Sequence, residues 1–502
     1  LLNWALARRF TVALLSLVII LGALLLYRSI GSEFLPEFDE SAFVLDYVAP
    51  PGTSLAETDR MLRHVEKMLR DTPEVESYSR RTGLQLGLAI TEPNTGDFLV
   101  KLKPDHARST SEVIDDLRQR IEQSEPALRV EFVGILSDLI GDLTSSPAPI
   151  EIRLFGEDAT VLHQTARRIE EAIKSVPGIV DTFNGIVISG PAITFRIDPA
   201  RAAKLGVDAT QIANAISVAM SGEVATVVLQ RDRLLPVRVI LPETARHSLD
   251  FLRNLLVRSN STGTPFRLDQ VADVEYDLGQ AEIARDGLRQ SVAVTARLSG
   301  TDLGTAIARI KERLAKEVIL PPGVSMEFGG LYREQQASFH ELLITLALAT
   351  SLVFLVLLIE FRSFVHPTAI VAGALLALSG ALAALFLTKM TLNVVSLMGI
   401  IMVVGIVAKN GILLLDATDE RRAQGDSLKD SLLYAGRRRL RPVLMTSLAA
   451  MLGLLPLAAG IGAGTSLLQP LAIAVMGGLA IGFFFSLVVT PTVYAAFEEE
   501  RD

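Results

Sequence analysis

The sequence contains no cysteine. Disulfide bonds, thiolate metal sites and cysteine nucleophiles are therefore excluded, although an oxidising compartment is not, because such a compartment permits disulfides without requiring them. The chain also lacks a surplus of basic residues: 48 Lys and Arg stand against 56 Asp and Glu, and the net charge is −8. Proteins that bind nucleic acid normally carry a basic face, so we expect no nucleic-acid partner.

Histidine is scarce and scattered. The six histidines are His64, His106, His163, His247, His340 and His366. None forms an H-x-x-H or H-E-x-x-H pair, so the sequence predicts no preformed metal site. No nucleophile–base arrangement is visible either, and we predict neither an enzyme nor a cofactor-dependent protein.

Half of the residues are hydrophobic, and they concentrate near the two ends of the chain. The long apolar runs are 10–27, 341–359, 364–387, 394–416, 442–460 and 470–497. Each is long enough to cross a bilayer core of about 30 Å. A cleavable signal peptide is the alternative for the first run, but no A-x-A site follows it. The sequence therefore predicts a polytopic α-helical membrane protein with six transmembrane helices.

The basic residues indicate the orientation of these spans. Arg8 and Arg9 precede the first run, and segment 417–441 is rich in arginine and lysine. The positive-inside rule places both in the cytoplasm. Residues 31–340 then lie on the other side, which predicts a bacterial inner-membrane protein with a large periplasmic region.

The periodicity of residues 31–340 predicts an α/β region of two similar units. The first has strands at 43–49, 75–81, 97–103 and 128–133 and helices at 55–71 and 110–122. The second has strands at 150–155, 179–187, 291–298 and 324–328 and helices at 159–175 and 302–316. This order is that of ferredoxin-like split βαβ subdomains. The second unit is interrupted by an insert with a helix at 208–220.

The predicted domains follow from these elements. They are a first transmembrane helix at 1–30, a subdomain at 31–147, a second subdomain at 148–189 and 281–338, an insert at 190–280, and a five-helix transmembrane domain at 339–502.

Several stretches resemble the C-terminal half of a permease of the resistance–nodulation–division (RND) family. GSEFLPEFDE (31–40) is similar to the exit of the family's seventh span, VVGIVAKNGILLLD (403–416) to the tenth, and RLRPVLMTSLAAMLGLLPLA (439–458) to the eleventh. Segments 79–102 and 149–156 resemble the heavy-metal branch, whereas Lys409-Asn410 looks closer to the multidrug branch. The resemblance implies that six further spans, with paired aspartates on the fourth, belong to an N-terminal half.

Lys409 is the most informative single residue, because it lies within an apolar run. An ammonium group at bilayer depth costs at least about 2.5–3.5 kcal/mol on insertion scales, so it normally needs a partner. Asp416 shares its helix face but lies about 10 Å away, too far for an ion pair. The alternative is a lysine that snorkels from a helix end. The resemblance implies that the aspartates of the other half are its partners.

The resemblance implies that Lys409 and these aspartates form a proton relay. It adds Arg439, Thr446, Asn410 and Asp416 to this relay. For Arg439 the alternative is an ordinary positive-inside anchor. For Thr446 it is a hydroxyl that bonds its own helix backbone.

The family resemblance implies a proton-driven antiporter that exports small molecules and works as a homotrimer with a periplasmic adaptor and an outer-membrane channel. It makes the two subdomains porter subdomains and the insert a docking-type domain. Two alternatives remain: a heavy-metal cation exporter and an RND-related protein-export accessory factor. We expect no copper(I) or silver site, because Met61 and Met68, at a spacing of seven on one helix, are typical of core packing.

Overall fold

The computed structural model of the chain describes residues 2–36, 39–84, 91–144, 148–188, 190, 192–259, 263–277, 282–462 and 464–498. Residues 37–38 of the 31–40 motif and residues 85–90 of the 79–102 segment lie outside the described residues, as do the predicted boundary residues 147, 189, 281 and 502. The chain forms two compact units: one is Leu1–Ala49, Thr58–Ile186 and Ile283–Asp502, and the other is Pro50–Glu57 and Val187–Glu282.

Among the described residues, six helices are long and apolar enough to cross a membrane. They are α2 (Arg9–Ser29), α12 (Leu331–Phe361), α13 (Val365–Leu387), α14 (Val394–Arg422), α15 (Leu428–Ala458) and α16 (Gln469–Glu498). A short helix, α1 (Leu2–Ala7), precedes α2. Each predicted apolar run falls on one of the six, so this prediction is confirmed.

Segment 417–441 differs from its prediction as a connecting loop. It is helical at both ends, and only 423–427 separate α14 from α15. The arginines continue these two helices past their apolar parts, and Ser427 caps α15 by accepting a hydrogen bond from the backbone N–H of Asp430.

Three helices form the interior of the bundle. In the most apolar stretch of each helix, about half of the residues are buried in α14 (56%), α16 (50%) and α13 (44%). The buried share is 6–11% in α2, α12 and α15. Small residues permit this packing: a Cβ on Gly399 would lie 2.8 Å from the Leu471 carbonyl oxygen, and one on Gly411 would lie 3.1 Å from Ile370. No atom of the described residues lies within 4 Å of a Cβ at Gly405, so this glycine permits no close packing within the described bundle.

The first sheet lies in residues 42–133. Its strands are β1 (Ala42–Val48), β2 (Val75–Thr82), β3 (Thr95–Leu102) and β4 (Arg129–Val133), in the antiparallel order β2-β3-β1-β4. Helices α3 (Leu55–Asp71) and α4 (Thr110–Ser124) bury apolar residues with the sheet, and α5 (Ile135–Thr144) follows β4. Ser109 and Glu112 form a capping box that starts α4. Met61 and Met68 belong to this core, which agrees with the packing interpretation.

The second sheet has a related order. Its strands are β5 (Ile150–Phe155), β6 (Ile179–Phe183), β13 (Ala284–Asp286), β14 (Arg289–Leu298) and β15 (Ser325–Gly329). The central path is β14-β5-β15, with β6 and β13 both paired to β14. Helices α6 (Ala159–Lys174) and α11 (Leu303–Glu317) bury apolar residues with it. The strand predicted at 179–187 ends at Phe183, and Gly185 then adopts a φ of +72°.

The unit formed by 50–57 and 187–282 has its own small core around Ile212, Leu252 and Leu268. Its strands are β7 (Ala192–Ile197), β8 (Glu223–Gln230), β9 (Arg233–Val239), β10 (Leu256–Arg258), β11 (Pro265–Arg267) and β12 (Ala272–Asp277). Its helices are α7 (Pro199–Lys204), α8 (Ala209–Ser221), α9 (Glu243–Arg246) and α10 (Leu249–Arg253). The strands pair as three two-stranded sheets, β7 with β12, β8 with β9 and β10 with β11.

Gly330 connects the second sheet directly to the bundle, between β15 and α12. It has a φ of +70°, and a Cβ there would lie 2.6 Å from the Ala148 carbonyl oxygen. Only glycine satisfies both constraints without strain. The second sheet and the first residues of α12 are therefore held close together.

Candidate functional site

One face of α14 is not covered by any other described helix. Met398 and Met402 are each 49% exposed, and Gly405, Lys409 and Asp416 follow on the same side. These positions recur at intervals of three, four and seven residues, which is the spacing of one helix face. We call this stripe, from Met398 to Asp416, the open face. It is unusual, because the rest of α14 is packed against its neighbours.

At its C-terminal end, the open face forms an ion pair with α15. Arg439 Nη2 lies 4.0 Å from Asp416 Oδ2, and no other ion pair to Asp416 is found among the described residues. The Arg439 side chain is 26% exposed, and its Nε is buried without a hydrogen-bond partner in the described part of the chain. An unsatisfied buried guanidinium nitrogen calls for a further acceptor that would complete the site.

The antiparallel arrangement of α14 and α15 determines the relative depth of Lys409 and Thr446. Lys409 lies seven residues before Asp416, and Thr446 lies seven residues after Arg439. Because Asp416 and Arg439 are at the same level and the helices run in opposite directions, Lys409 and Thr446 also lie at one depth, about 10 Å further into the bundle. Four of the five predicted relay residues thus belong to one surface.

Lys409 is exposed on this surface, and none of the described residues makes a hydrogen bond or ion pair to its ammonium group. The position is central: about fifteen residues of α14 precede it and thirteen follow. A snorkelling lysine would lie near a helix end. The arrangement fits a cation whose partner lies on another part of the protein.

The two uncharged relay residues have other surroundings: Thr446 bonds its own helix, and Asn410 is buried. The Thr446 hydroxyl donates a hydrogen bond of 3.1 Å to the Val443 carbonyl oxygen of its own helix, as in the alternative considered for it. Asn410 is only 5% exposed and faces the packed side of α14. The structure therefore does not bring Asn410 together with Lys409, Asp416 and Arg439.

Sequence reasoning missed a row of carboxylates on the first sheet. Cross-strand register places Asp46 of β1 opposite Asp97 of β3 and opposite Glu131 of β4. Arg81 holds Asp97 through two hydrogen bonds of 2.7 and 2.9 Å, and Arg297 of the second sheet pairs with Glu131. Asp46, in the middle, makes no hydrogen bond or ion pair with any described residue. Burial, followed by the charges of Glu131, Asp138 and Asp97, raises the pKa of Asp46 to about 7.

Sequence reasoning also missed a polar cluster on the packed side of the bundle. His366 at the start of α13 bonds Asp419 near the end of α14, which also accepts from Tyr494 of α16. A histidine directly before a proline at the start of an apolar run was the available signal. In the described part of the chain, no group of three or more His, Asp or Glu residues has the arrangement of a metal site.

The sequence matches the AcrB/AcrD/AcrF family over residues 1–498. Among curated proteins it is similar to the cobalt-zinc-cadmium resistance protein CzcA of Cupriavidus metallidurans, with 28% identity over 98% of this chain and 48% of that protein. It is also similar to the multidrug resistance protein MdtC of Erwinia tasmaniensis, with 30% identity over 95% of this chain and 46% of that protein.

Solved structures give the same result. The structure of a heavy metal efflux pump matches this chain with a TM-score of 0.87 and 27% identity, covering 99% of this chain and 52% of the pump. The chain thus spans about half the length of the curated relatives it matches. The family consists of transporters of the inner membrane, and the six apolar helices agree with that. The predicted resemblance is therefore confirmed, and the chain belongs to the AcrB/AcrD/AcrF family of RND permeases.

Proposed function

We propose that this chain is the C-terminal half of a proton-driven efflux permease, in which the open face of α14 and the adjoining part of α15 meet the N-terminal half. The observation that carries this proposal is the unpaired Lys409 at mid-helix on an uncovered surface. A cation held inside the membrane requires a nearby anion. Carboxylates on a covering helix would supply it, and their protonation would release Lys409.

The cycle follows from this exchange. When the carboxylates are ionised, they hold Lys409 charged. When they take up protons from the periplasm, they lose their attraction for it, and Lys409 and Arg439 shift towards Asp416. Each proton that crosses supplies about 2.3 kcal/mol per 100 mV of membrane potential. Gly330 connects α12 tightly to the second sheet, so a movement of the bundle would be passed to the periplasmic region.

The remaining assignments complete the proposal. Residues 31–147, and 148–189 with 281–338, act as porter subdomains, 190–280 acts as a docking-type insert, and 339–502 form the transmembrane domain. The exposed apolar hairpin β8–β9 supports contact of the insert with another protein chain. We infer a homotrimer in the bacterial inner membrane that works with a periplasmic adaptor and an outer-membrane channel.

Heavy-metal cations are the second candidate for the exported substrate. The similarity to CzcA and to the heavy metal efflux pump favours them, whereas the similarity to MdtC favours drug-like molecules. Susceptibility of a pump-deficient strain that expresses the whole permease separates the two. Protection against Zn²⁺, Co²⁺ and Cd²⁺ but not ethidium supports a cation exporter, and the reverse supports a multidrug exporter.

Lys409→Met in the whole permease tests the proton relay. The change keeps the length of the side chain and removes its charge, so transport should fall to background while expression and assembly persist. Lys429→Met is the matched control, because Lys429 is exposed near the start of α15, away from the open face. It should transport like the wild type. Normal transport by Lys409→Met, or equal loss in both variants, would refute the relay.

A further inference from the structure

The packed side of the bundle carries a second set of titratable groups, at the end opposite the periplasmic sheets. It joins four helices: Phe361 ends α12, His366 begins α13, Asp419 lies near the end of α14, and Tyr494 lies near the end of α16. Arginine placement assigns this end to the cytoplasm. None of these residues belongs to the open face, although Asp419 lies one helical turn beyond Asp416 on α14.

His366 is the buried member of this cluster. The residue is 7% exposed, and its ring stacks on Phe361 at 4.6 Å and an interplanar angle of 11°. The Tyr494 ring is also in contact, at 4.7 Å and an interplanar angle of 57°. The imidazole is therefore packed against two aromatic rings.

The two ring nitrogens of His366 are in different situations. Nε2 lies 2.9 Å from Asp419 Oδ2. Since an ionised carboxylate only accepts hydrogen bonds, Nε2 carries the proton in the neutral ring. Nδ1 is buried and has no hydrogen-bond partner in the described part of the chain. A histidine that served only to join helices would be expected to have both nitrogens satisfied, so the free lone pair of Nδ1 requires an explanation.

Asp419 connects this buried ring to solvent. Its side chain is 40% exposed, and its second oxygen accepts a hydrogen bond of 3.3 Å from the Tyr494 hydroxyl. The charged neighbours are Arg422 of α14, whose Nη1 reaches the Tyr494 hydroxyl and Glu498 of α16, and Arg9, which donates to the Ala495 carbonyl oxygen. Glu360 and Arg362 flank Phe361 and are exposed. Helices α1 and α15 contribute the buried apolar residues Leu6 and Leu432 to the same cluster.

We propose that His366 and Asp419 form a proton-exit site, which passes protons from the interior of the bundle to the cytoplasm. Nδ1 accepts a proton and the ring becomes imidazolium. The Nε2 proton then moves to Asp419 Oδ2, giving a neutral carboxylic acid, which releases it to water. The ring, now protonated on Nδ1, regains its first tautomer when water relays that proton to Nε2: the Nδ1–H bond breaks and a new Nε2–H bond forms. One proton is carried inward, and no other reactant is consumed.

This proposal rests on the proposed proton-driven function and adds a residue pair to it. His366→Gln is the decisive variant, because the amide can still donate a hydrogen bond to Asp419 but cannot take up a proton. The whole permease is reconstituted in liposomes with a trapped pH-sensitive dye, and proton flux is followed on addition of Zn²⁺ or ethidium. His163→Gln, on periplasmic helix α6, controls for the same substitution elsewhere.

We expect His366→Gln to lower the proton flux on the order of a hundredfold, since positioned acid–base groups contribute at least that much. His163→Gln should match the wild type. His366→Ala should regain flux when imidazole is added, because the free base can occupy the vacated space. Asp419→Asn, which keeps size and hydrogen bonding, should lose flux as His366→Gln does, and it provides a second test if His366→Gln fails to assemble.

The outcomes separate this inference from the function it rests on. If the wild type shows no proton flux with either probe, proton-driven export itself is refuted, and the exit site with it. If the wild type shows flux and His366→Gln retains it, the cluster only joins helices and the exit site is refuted alone. Rescue of His366→Ala by imidazole would not occur for a purely structural histidine.

Discussion

The first and second sheets differ from the open face of the bundle in how their charged side chains are paired. Between the sheets, the Arg118 side chain, 10% exposed, makes two hydrogen bonds of 2.8 and 3.0 Å to Asp181, which is 2% exposed. Arg297 pairs with Glu131, and Arg129 lies 3.8 Å over the Phe183 ring. On the open face, Lys409 has no such partner in the described chain. These arginines of the sheets are thus paired within the described residues, whereas the Lys409 ammonium group is left for the partner that the proposed relay supplies.

Arg118→Met should have the largest effect on stability. It leaves the Asp181 carboxylate buried without its cation, which typically costs about 3–5 kcal/mol. The backbone N–H of Phe132 still donates to Asp181, but at 3.3 Å it is a weak substitute. The unfolding midpoint of the chain in detergent, followed by circular dichroism, should fall clearly.

Arg196→Met is the control for this change. The Arg196–Glu275 pair is exposed, at 73% and 56%, and such pairs contribute within about 1 kcal/mol. Equal losses in the two variants would mean that burial does not distinguish the ion pairs of the sheets from those of the surface.

Asp46→Asn tests a carboxylate on β1 to which no described residue makes a hydrogen bond or ion pair. Its folded-state pKa is about 7, above the ordinary value of 3.8. The folded chain therefore holds a proton that the unfolded chain releases, so stability falls as pH rises from about 4 to about 7. The asparagine variant lacks this loss and should be more stable than the wild type at pH 8, by about 2–4 kcal/mol.

The measurement is the difference in unfolding midpoint at pH 5 and pH 8. Asp250→Asn is the control, because its side chain is 92% exposed, and it should follow the wild type at both pH values. If Asp46→Asn also follows the wild type, the Asp46 carboxyl is not perturbed and the charges of the row are screened by water.

Glu112→Ala tests the carboxylate that caps the N-terminus of α4. The Glu112 carboxylate accepts from the Ser109 backbone N–H at 2.8 Å, and this capping contact is exposed. Its loss should cost about 0.5–1 kcal/mol. Glu122→Ala, near the other end of the same helix, should cost nothing or stabilise slightly, because a negative charge there opposes the helix dipole. A larger effect at Glu122 would contradict the assignment of the cap.

The sequence patterns predicted elements much better than contacts between them. Helix Leu55–Asp71 was predicted with the same limits, because its apolar residues follow one helix face. The row of Asp46, Asp97 and Glu131 was not predictable, since it depends on strand register across some 85 residues. The His366–Asp419 pair likewise joins residues 53 apart. Gly405 has no described atom close to it, which illustrates that helical periodicity locates a face without indicating what covers it.

For the site, as for the fold, the sequence predicted positions along a helix but not contacts between helices. The depth of Lys409 and its face shared with Asp416 follow from spacing alone. The Arg439–Asp416 pair depends on how closely α15 approaches α14, and the orientation of Asn410 depends on which side of α14 is packed. Both are properties of tertiary packing, which local periodicity does not contain.

Lys409→Met should have the smallest effect on the stability of this chain, and that result would sharpen the comparison most. Because no described residue pairs with the ammonium group, its removal breaks no contact here, and the unfolding free energy should change by no more than about 0.5 kcal/mol. If the proposed relay is correct, the same change in the whole permease removes the cation from carboxylates of the other half, so there the unfolding midpoint should change measurably. The difference between the two contexts measures the coupling of Lys409 to the other half, as in a double-mutant cycle. If the isolated chain loses as much stability as it does with Arg118→Met, Lys409 has a partner within this chain, and the open face is not the surface that awaits the other half.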